Sequence, residues 1–182
     1  MTVIIIIAIV AILVLWVISV QRKLVKQEEI CKNGLSQIGV QQTNRWDALK
    51  ALAEMTKSYS DHEYKTMTDT IAQRRPITAS STSADANAQE NLFSQALSAL
   101  NVVVEKYPDL KANESFNKTM DSINTYTNQV RMSQMVYNDS VTKFNQLIRQ
   151  FPDSIVASLF HFVPREYLQV NESKAEIPSM RI

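Results

Sequence analysis

Glycine is almost missing from this chain: of 182 residues, only Gly34 and Gly39 lack a side chain. A phosphate-cradling loop and a nucleophile elbow both need glycine where the backbone meets a ligand or turns sharply, so neither is expected. Cysteine is reduced to Cys31, which excludes an intramolecular disulfide and any multi-cysteine metal cage. Its expected role is that of a small buried apolar side chain. The two histidines, His62 and His161, stand far apart and in no metal-ligand spacing. His62 lies in Asp61-His62-Glu63, a tripeptide that a helix spreads around its circumference. Net charge is only +1, too little for a field that draws nucleic acid or acidic substrates. Proline occurs five times, at Pro76, Pro108, Pro152, Pro164 and Pro178, always outside the periodic runs. Long unbroken helices require that placement, because proline removes a helix hydrogen bond and clashes with the preceding turn.

What is present begins with an apolar run. Val3 to Val20 holds 18 residues without a charge. At about 1.5 Å per residue it spans roughly 27 Å as a helix, close to the ~30 Å hydrocarbon core of a bilayer. No basic n-region precedes it, and Ser19-Val20-Gln21-Arg22 is a poor cleavage site, so an anchor is expected over a signal peptide. Trp16 suits the interface near the end of the run, and Arg22, Lys23 and Lys26 follow at once. The positive-inside rule then places residues 1–2 outside the membrane and the C-terminal domain in the cytoplasm. There the Asn-x-Ser/Thr matches at Asn113, Asn117, Asn138 and Asn171 are chance.

Beyond the anchor the pattern is helical. Leu24, Glu28, Cys31, Leu35, Ile38, Gln42, Arg45, Leu49, Leu52, Thr56 and Tyr59 follow a 4-3 spacing on one stripe. The first helix is therefore expected to run without a break from the membrane to about Arg75, with Gly34 its weak point and Pro76 its end. A small, polar loop follows. A second helix is expected from about Asp85 to Lys106, with Leu92, Phe93, Ala96, Leu97, Leu100, Val103 and Val104 on its apolar face. After a connection over 107–115, Asn113 is expected to cap a third helix. There Phe116, Met120, Ile123, Thr127, Val130, Gln134, Tyr137, Val141, Phe144, Ile148 and Phe151 keep the 4-3 alternation over five heptads. A short helix from Asp153, capped by that residue, is expected to reach about Phe160. The predicted fold is all-α: a membrane helix (3–20) continuing into an elongated antiparallel bundle (21–168) of three long helices and a short fourth. Residues 169–182 are expected to form a poorly ordered tail.

Polar residues on the seams are the candidate functional groups: Glu28, Gln42 and Arg45 in the first helix, Thr127 and Gln134 in the third. Asn138 and Asn145 stand seven residues apart beside the seam. One reading has them facing water, partners or their own backbone; the other is a buried polar layer that fixes helix register. Ile155, Val156, Leu159, Phe160 and Phe162 form an unusually apolar C-terminal segment. It is expected either to cap the bundle or to contact membrane or protein.

The chain resembles the LemA family of bacterial membrane-anchored helical proteins over about residues 3–168. The resemblance rests on Tyr107-Pro-Asp-Leu-Lys-Ala-Asn113 within the stretch from Val104 to Phe116, and on Val136-Tyr-Asn-Asp-Ser-Val141. Phe144-Asn145, Ile148-Arg-Gln-Phe-Pro152, Ala157-Ser-Leu-Phe-His-Phe-Val-Pro164 and Tyr59-Ser-Asp-His-Glu63 complete it. The chain departs from the family at Asn44-Arg-Trp-Asp-Ala-Leu-Lys50, which keeps one of two arginines and lacks the family's proline. Thr127 and Gln134 stand where the family usually carries Glu and Arg. Stranding one buried ion costs about 3–5 kcal/mol, so losing both charges together is coherent. The resemblance implies an inner-membrane protein with its N-terminus out and a cytoplasmic bundle without known enzymatic activity. It also suggests a link to membrane proteostasis or envelope stress. The expected function is a non-catalytic structural and interaction protein that self-associates in the bilayer. An adaptor or regulator of a membrane protease or envelope-stress system is the alternative. No cofactor, metal, nucleic acid or small-molecule substrate is expected.

Overall fold

A single helix, α1, runs from Thr2 to Thr56 in the computed structural model, which describes residues 1–169. Its first part, residues 3–15, is exposed on every side. Within the protein this is the one helix long and apolar enough to cross a membrane among the described residues. A buried core helix meets the same test of length and composition, but α1 leaves this run uncovered, and an apolar cylinder in water is unstable. The helix stays unbroken through Gly34, which faces Tyr137: a Cβ there would sit 3.3 Å from that ring.

The expected continuation to Arg75 is corrected. The helix ends at Thr56, and α2 spans Asp61–Ala72. Neither proline nor glycine makes this break. Thr56 Oγ1 donates to the Ala53 carbonyl at 2.7 Å, Ser58 donates to Met55, and Ser60 accepts from the Glu63 N–H. A Thr-Lys-Ser-Tyr-Ser run thus offers the backbone local partners in place of helix bonds, and Ser60 restarts the helix as its cap. The chain then returns along α1, where Arg74 pairs with Asp47 at 2.9 Å. The Ile77 carbonyl presses onto Gly39 so closely that a Cβ would lie 1.9 Å from it.

Helix α3 spans Ser83–Lys106, two residues longer at its start than expected. Thr82 and Asp85 form a reciprocal capping box. The bonds from Thr82 hold the exposed Asp85 carboxyl below its ordinary pKa. The 107–115 connection contains a further short helix, α4, over Pro108–Ala112. Asn113 caps α5 as expected, accepting from Ser115 and Phe116, and α5 runs Glu114–Arg149. Helix α6 spans Asp153–Leu159; its cap position is Pro152, and Asp153 instead pairs with Lys23 at 3.1 Å. Asp153 does not cap because the helix begins one residue earlier than expected, which puts Asp153 at its first position, past the cap.

Helices α1 and α5 lie antiparallel along their length, with α2 and α3 packed on the half far from the apolar run. Nine of the eleven positions of the first seam are buried; Glu28, and Tyr59 just past the end of α1, are half-exposed. Of the eleven positions of the second seam eight are buried; Met120 and Thr127 are half-buried, and Phe151, past the end of α5, is exposed. The buried apolar residues form two cores. The proximal core, nearer the apolar run, joins Val20, Leu24, Cys31 and Leu35 to Tyr137, Phe144, Val156 and Leu168. The distal core joins Trp46, Leu49 and Leu52 to Phe93, Leu100, Phe116 and Ile123.

Candidate functional site: a polar belt and a strap cradle

The two cores meet at a belt of polar residues. In α1 it falls between Ile38 and Trp46, in α3 between Ala86 and Phe93, and in α5 between Tyr137 and Ile123. Gln42 and Arg45 are buried in the first segment and Gln134 in the third, at 3%, 1% and 5% exposure. Arg45 forks onto the Glu90 carboxylate, with Nη1 donating at 3.0 Å and Nη2 to the second oxygen. Its guanidinium also lies 3.8 Å from the Phe93 ring centroid. Phe93 in turn meets Trp46 edge-on at 5.1 Å. Both are apolar, so the guanidinium has Glu90 as its counter-ion and a ring face as its floor. Gln89, beside Glu90, accepts the Arg75 N–H at 2.8 Å and ties the α2–α3 loop to the same level. Sequence reasoning missed Glu90. The signal was there: Ala86, Glu90, Phe93 and Leu97 share the 4-3 stripe that faces α1.

Thr127 lies half-buried at this level, but among the described residues no hydrogen bond joins Thr127 or Gln134 to Gln42 or Arg45. The buried ion pair thus runs between α1 and α3, and not between α1 and α5.

Asn138 and Asn145 do something else. After α6 the chain reverses at His161, whose φ of 58° lies in the left-handed region. It then runs back, extended, along the bundle as a strap. Asn145 Nδ2 donates to the Arg165 carbonyl and its Oδ1 accepts the Arg165 N–H, both at 2.9 Å. One heptad earlier, Asn138 does the same to Leu168, at 3.0 and 2.8 Å. A carboxamide offers one donor and one acceptor side by side, matching the backbone N–H and C=O of a single extended residue. Two such amides seven residues apart on a helix hold residues three apart on a strap, and the intervening Glu166 carbonyl accepts from the Tyr137 hydroxyl at 3.3 Å. Strap side chains add to this. Leu168 is buried in the proximal core, Arg165 pairs with Glu28 at 3.0 Å, and Glu166 accepts from Ser83 at 2.9 Å. Gln169 donates its N–H to Asn87. Glu28 is therefore a strap partner. The expected tail, apart from Gln169, lies outside the described residues.

Burial raises the Cys31 thiol above its ordinary pKa, and Arg165 opposes this only in part. The Tyr137 hydroxyl is raised too, again chiefly by burial.

The apolar C-terminal segment divides. Val156 is buried at 1% exposure and Phe162 is half-buried against Phe144, ring centroids 6.3 Å apart. These two cap the bundle. Ile155, Leu159 and Phe160 stay exposed. Of the residues expected to flank a membrane, Trp16 packs against the proximal core, and Arg22, Lys23 and Lys26 are exposed.

The fold defines a class: an α-helical bundle carried on one apolar N-terminal helix, with its C-terminal strap clasped by asparagines. The chain matches the LemA family over residues 34–181 and belongs to it. No curated protein matches it.

Proposed function

We propose that this protein is a non-catalytic scaffold, anchored by α1 in the bacterial inner membrane with its N-terminus outside and its bundle in the cytoplasm, where copies associate side by side. The observation that carries this reading is the unbroken α1 from Thr2 to Thr56. An anchor continuous with the bundle's longest helix fixes the bundle's tilt and rotation, so neighbouring copies present matching faces. Confinement to one plane raises their effective concentration without any new contact. The face best suited to the contact is a shallow groove between α1 and α5, formed by Gly34, Gln37, Met132, Ser133 and Val136. Met132 and Val136 stand exposed at its edge, and methionine adapts to a partner surface. The basic residues after the apolar run support the orientation.

Single cysteines at Gln37 and at Met132, in a Cys31→Ser chain, test this by crosslinking in native membranes. Ladders of the chain with itself are expected. One discrete heterologous band would instead favour an adaptor to a second membrane protein. A periplasm-dependent reporter active at the C-terminus would overturn the orientation.

A further inference from the structure

We propose that the turn around α6 is a second membrane contact, in which Phe151, Ile155, Leu159, Phe160 and Val163 sit in the headgroup and upper acyl region of the bilayer beside the anchor. All five are exposed, Phe151 at 78% and Val163 at 70%. Phe151, just past the end of α5, is also the one exposed position of the seam that α5 carries. Ile155 and Leu159 share a face of α6, and Phe151 precedes them at the same four-residue spacing. On the opposite face Val156 and Ala157 are buried. Helix α6 is therefore apolar on both sides, which a helix with one face in water is not.

Its place in the fold says what covers the outer side. Val156 and Ala157 share a core with Val20 and Leu24, and Lys23 holds Asp153 at 3.1 Å. Trp16 and Val17 pack against that same core. Trp16 precedes Val20, the last residue of the apolar run, by about 6 Å of helix. The core that α6 completes thus overlaps the final turn of the apolar run. A helix fixed at that level, with apolar side chains pointing outward, meets lipid and not bulk water. Arg22 and Lys26 are exposed at the same end, where anionic headgroups suit them. Lys23 pairs the charge of Asp153, the acidic group inside α6, so no unpaired carboxylate of α6 faces that surface.

The inference rests on α1 being the anchor, and the test separates the two. The purified full chain, Cys31→Ser, is reconstituted in vesicles of phosphatidylcholine and phosphatidylglycerol. A nitroxide label is placed at Leu159→Cys, Ile155→Cys, Ile9→Cys or, as an exposed control on α3, Val102→Cys, one at a time. Accessibility to oxygen, which partitions into lipid, is compared with that to a water-soluble nickel chelate. Oxygen should dominate at Ile9 most strongly, at Leu159 and Ile155 clearly, and at Val102 not at all. Water-like accessibility at Leu159 and Ile155, with Ile9 still in lipid, overturns this inference alone. Protection of Leu159 and Ile155 from both reagents also overturns it, because a second copy then covers α6. Water-like accessibility at Ile9 removes the anchor reading and this inference together.

Discussion

Replacing Glu90 by leucine should destabilise the bundle by stranding Arg45, and replacing both residues should restore about half of the loss. The Arg45 side chain is 1% exposed and Glu90 supplies its carboxylate, so Glu90→Leu leaves a guanidinium in the belt without a counter-ion. Removing one partner of a buried pair costs about 3–5 kcal/mol. Glu90 keeps 21% exposure, so water reaches part of the vacated space and the lower end applies, about 3 kcal/mol. In Arg45→Met/Glu90→Leu the stranded charge is gone. What remains lost is the pair's own net contribution, near zero for such pairs, and the stacking on Phe93, worth about 1–2 kcal/mol. The assay is urea unfolding of the full chain in mild detergent. It is followed by Trp46 fluorescence in a Trp16→Phe background, since Trp46 touches Phe93 and reports on the belt. With a slope of about 1–3 kcal/mol/M, the single variant should lower the midpoint by about 1 M or more. A double variant as unstable as the single one would refute the reasoning, since the pair would then contribute in its own right.

Three further outcomes are expected. Asn145→Ala removes both hydrogen bonds to the Arg165 backbone, worth about 2 kcal/mol together. Hydrogen exchange should then quicken at Arg165 and Leu168 while the α1 and α5 amides keep their protection; uniform loss of protection would mean that the strap is not a separate unit. Gly39→Ala places a methyl group against the Ile77 carbonyl, a backbone atom that cannot swing aside. It should cost about 3 kcal/mol or more, whereas a wild-type melting temperature would show that the α2–α3 loop moves freely. The third concerns alkaline pH. The Cys31 thiol and the Tyr137 hydroxyl ionise less readily in the folded state than in the unfolded chain. As pH rises past about 9, the ordinary thiol value, the unfolded chain loses its proton first and the fold loses stability. Cys31→Ala should flatten the fall in the unfolding midpoint above that pH, and an unchanged slope would assign the loss to other groups.

Much of this protein was legible in its periodicity. A 4-3 spacing of apolar residues dictates which side of a helix sheds water, and a sheltered side must find another helix. That alone determined the seams of α1 and α5, the antiparallel bundle and the uncovered apolar run. The end of α1 was not legible in the same way. The seam continues to Tyr59, and nothing in periodicity weighs the hydroxyls of Thr56, Ser58 and Ser60 against helix bonds. Tertiary structure decided the polar residues. Arg45 was visible as an intruder in a seam, but its partner, Glu90, lies 45 residues away on another helix. Asn138 and Asn145 were visible as a heptad pair, yet they answer to the backbone of a strap, and backbone groups carry no sequence signature. Apolar stripes are read from one helix at a time. A hydrogen bond needs two groups in register, and only the folded chain brings them there.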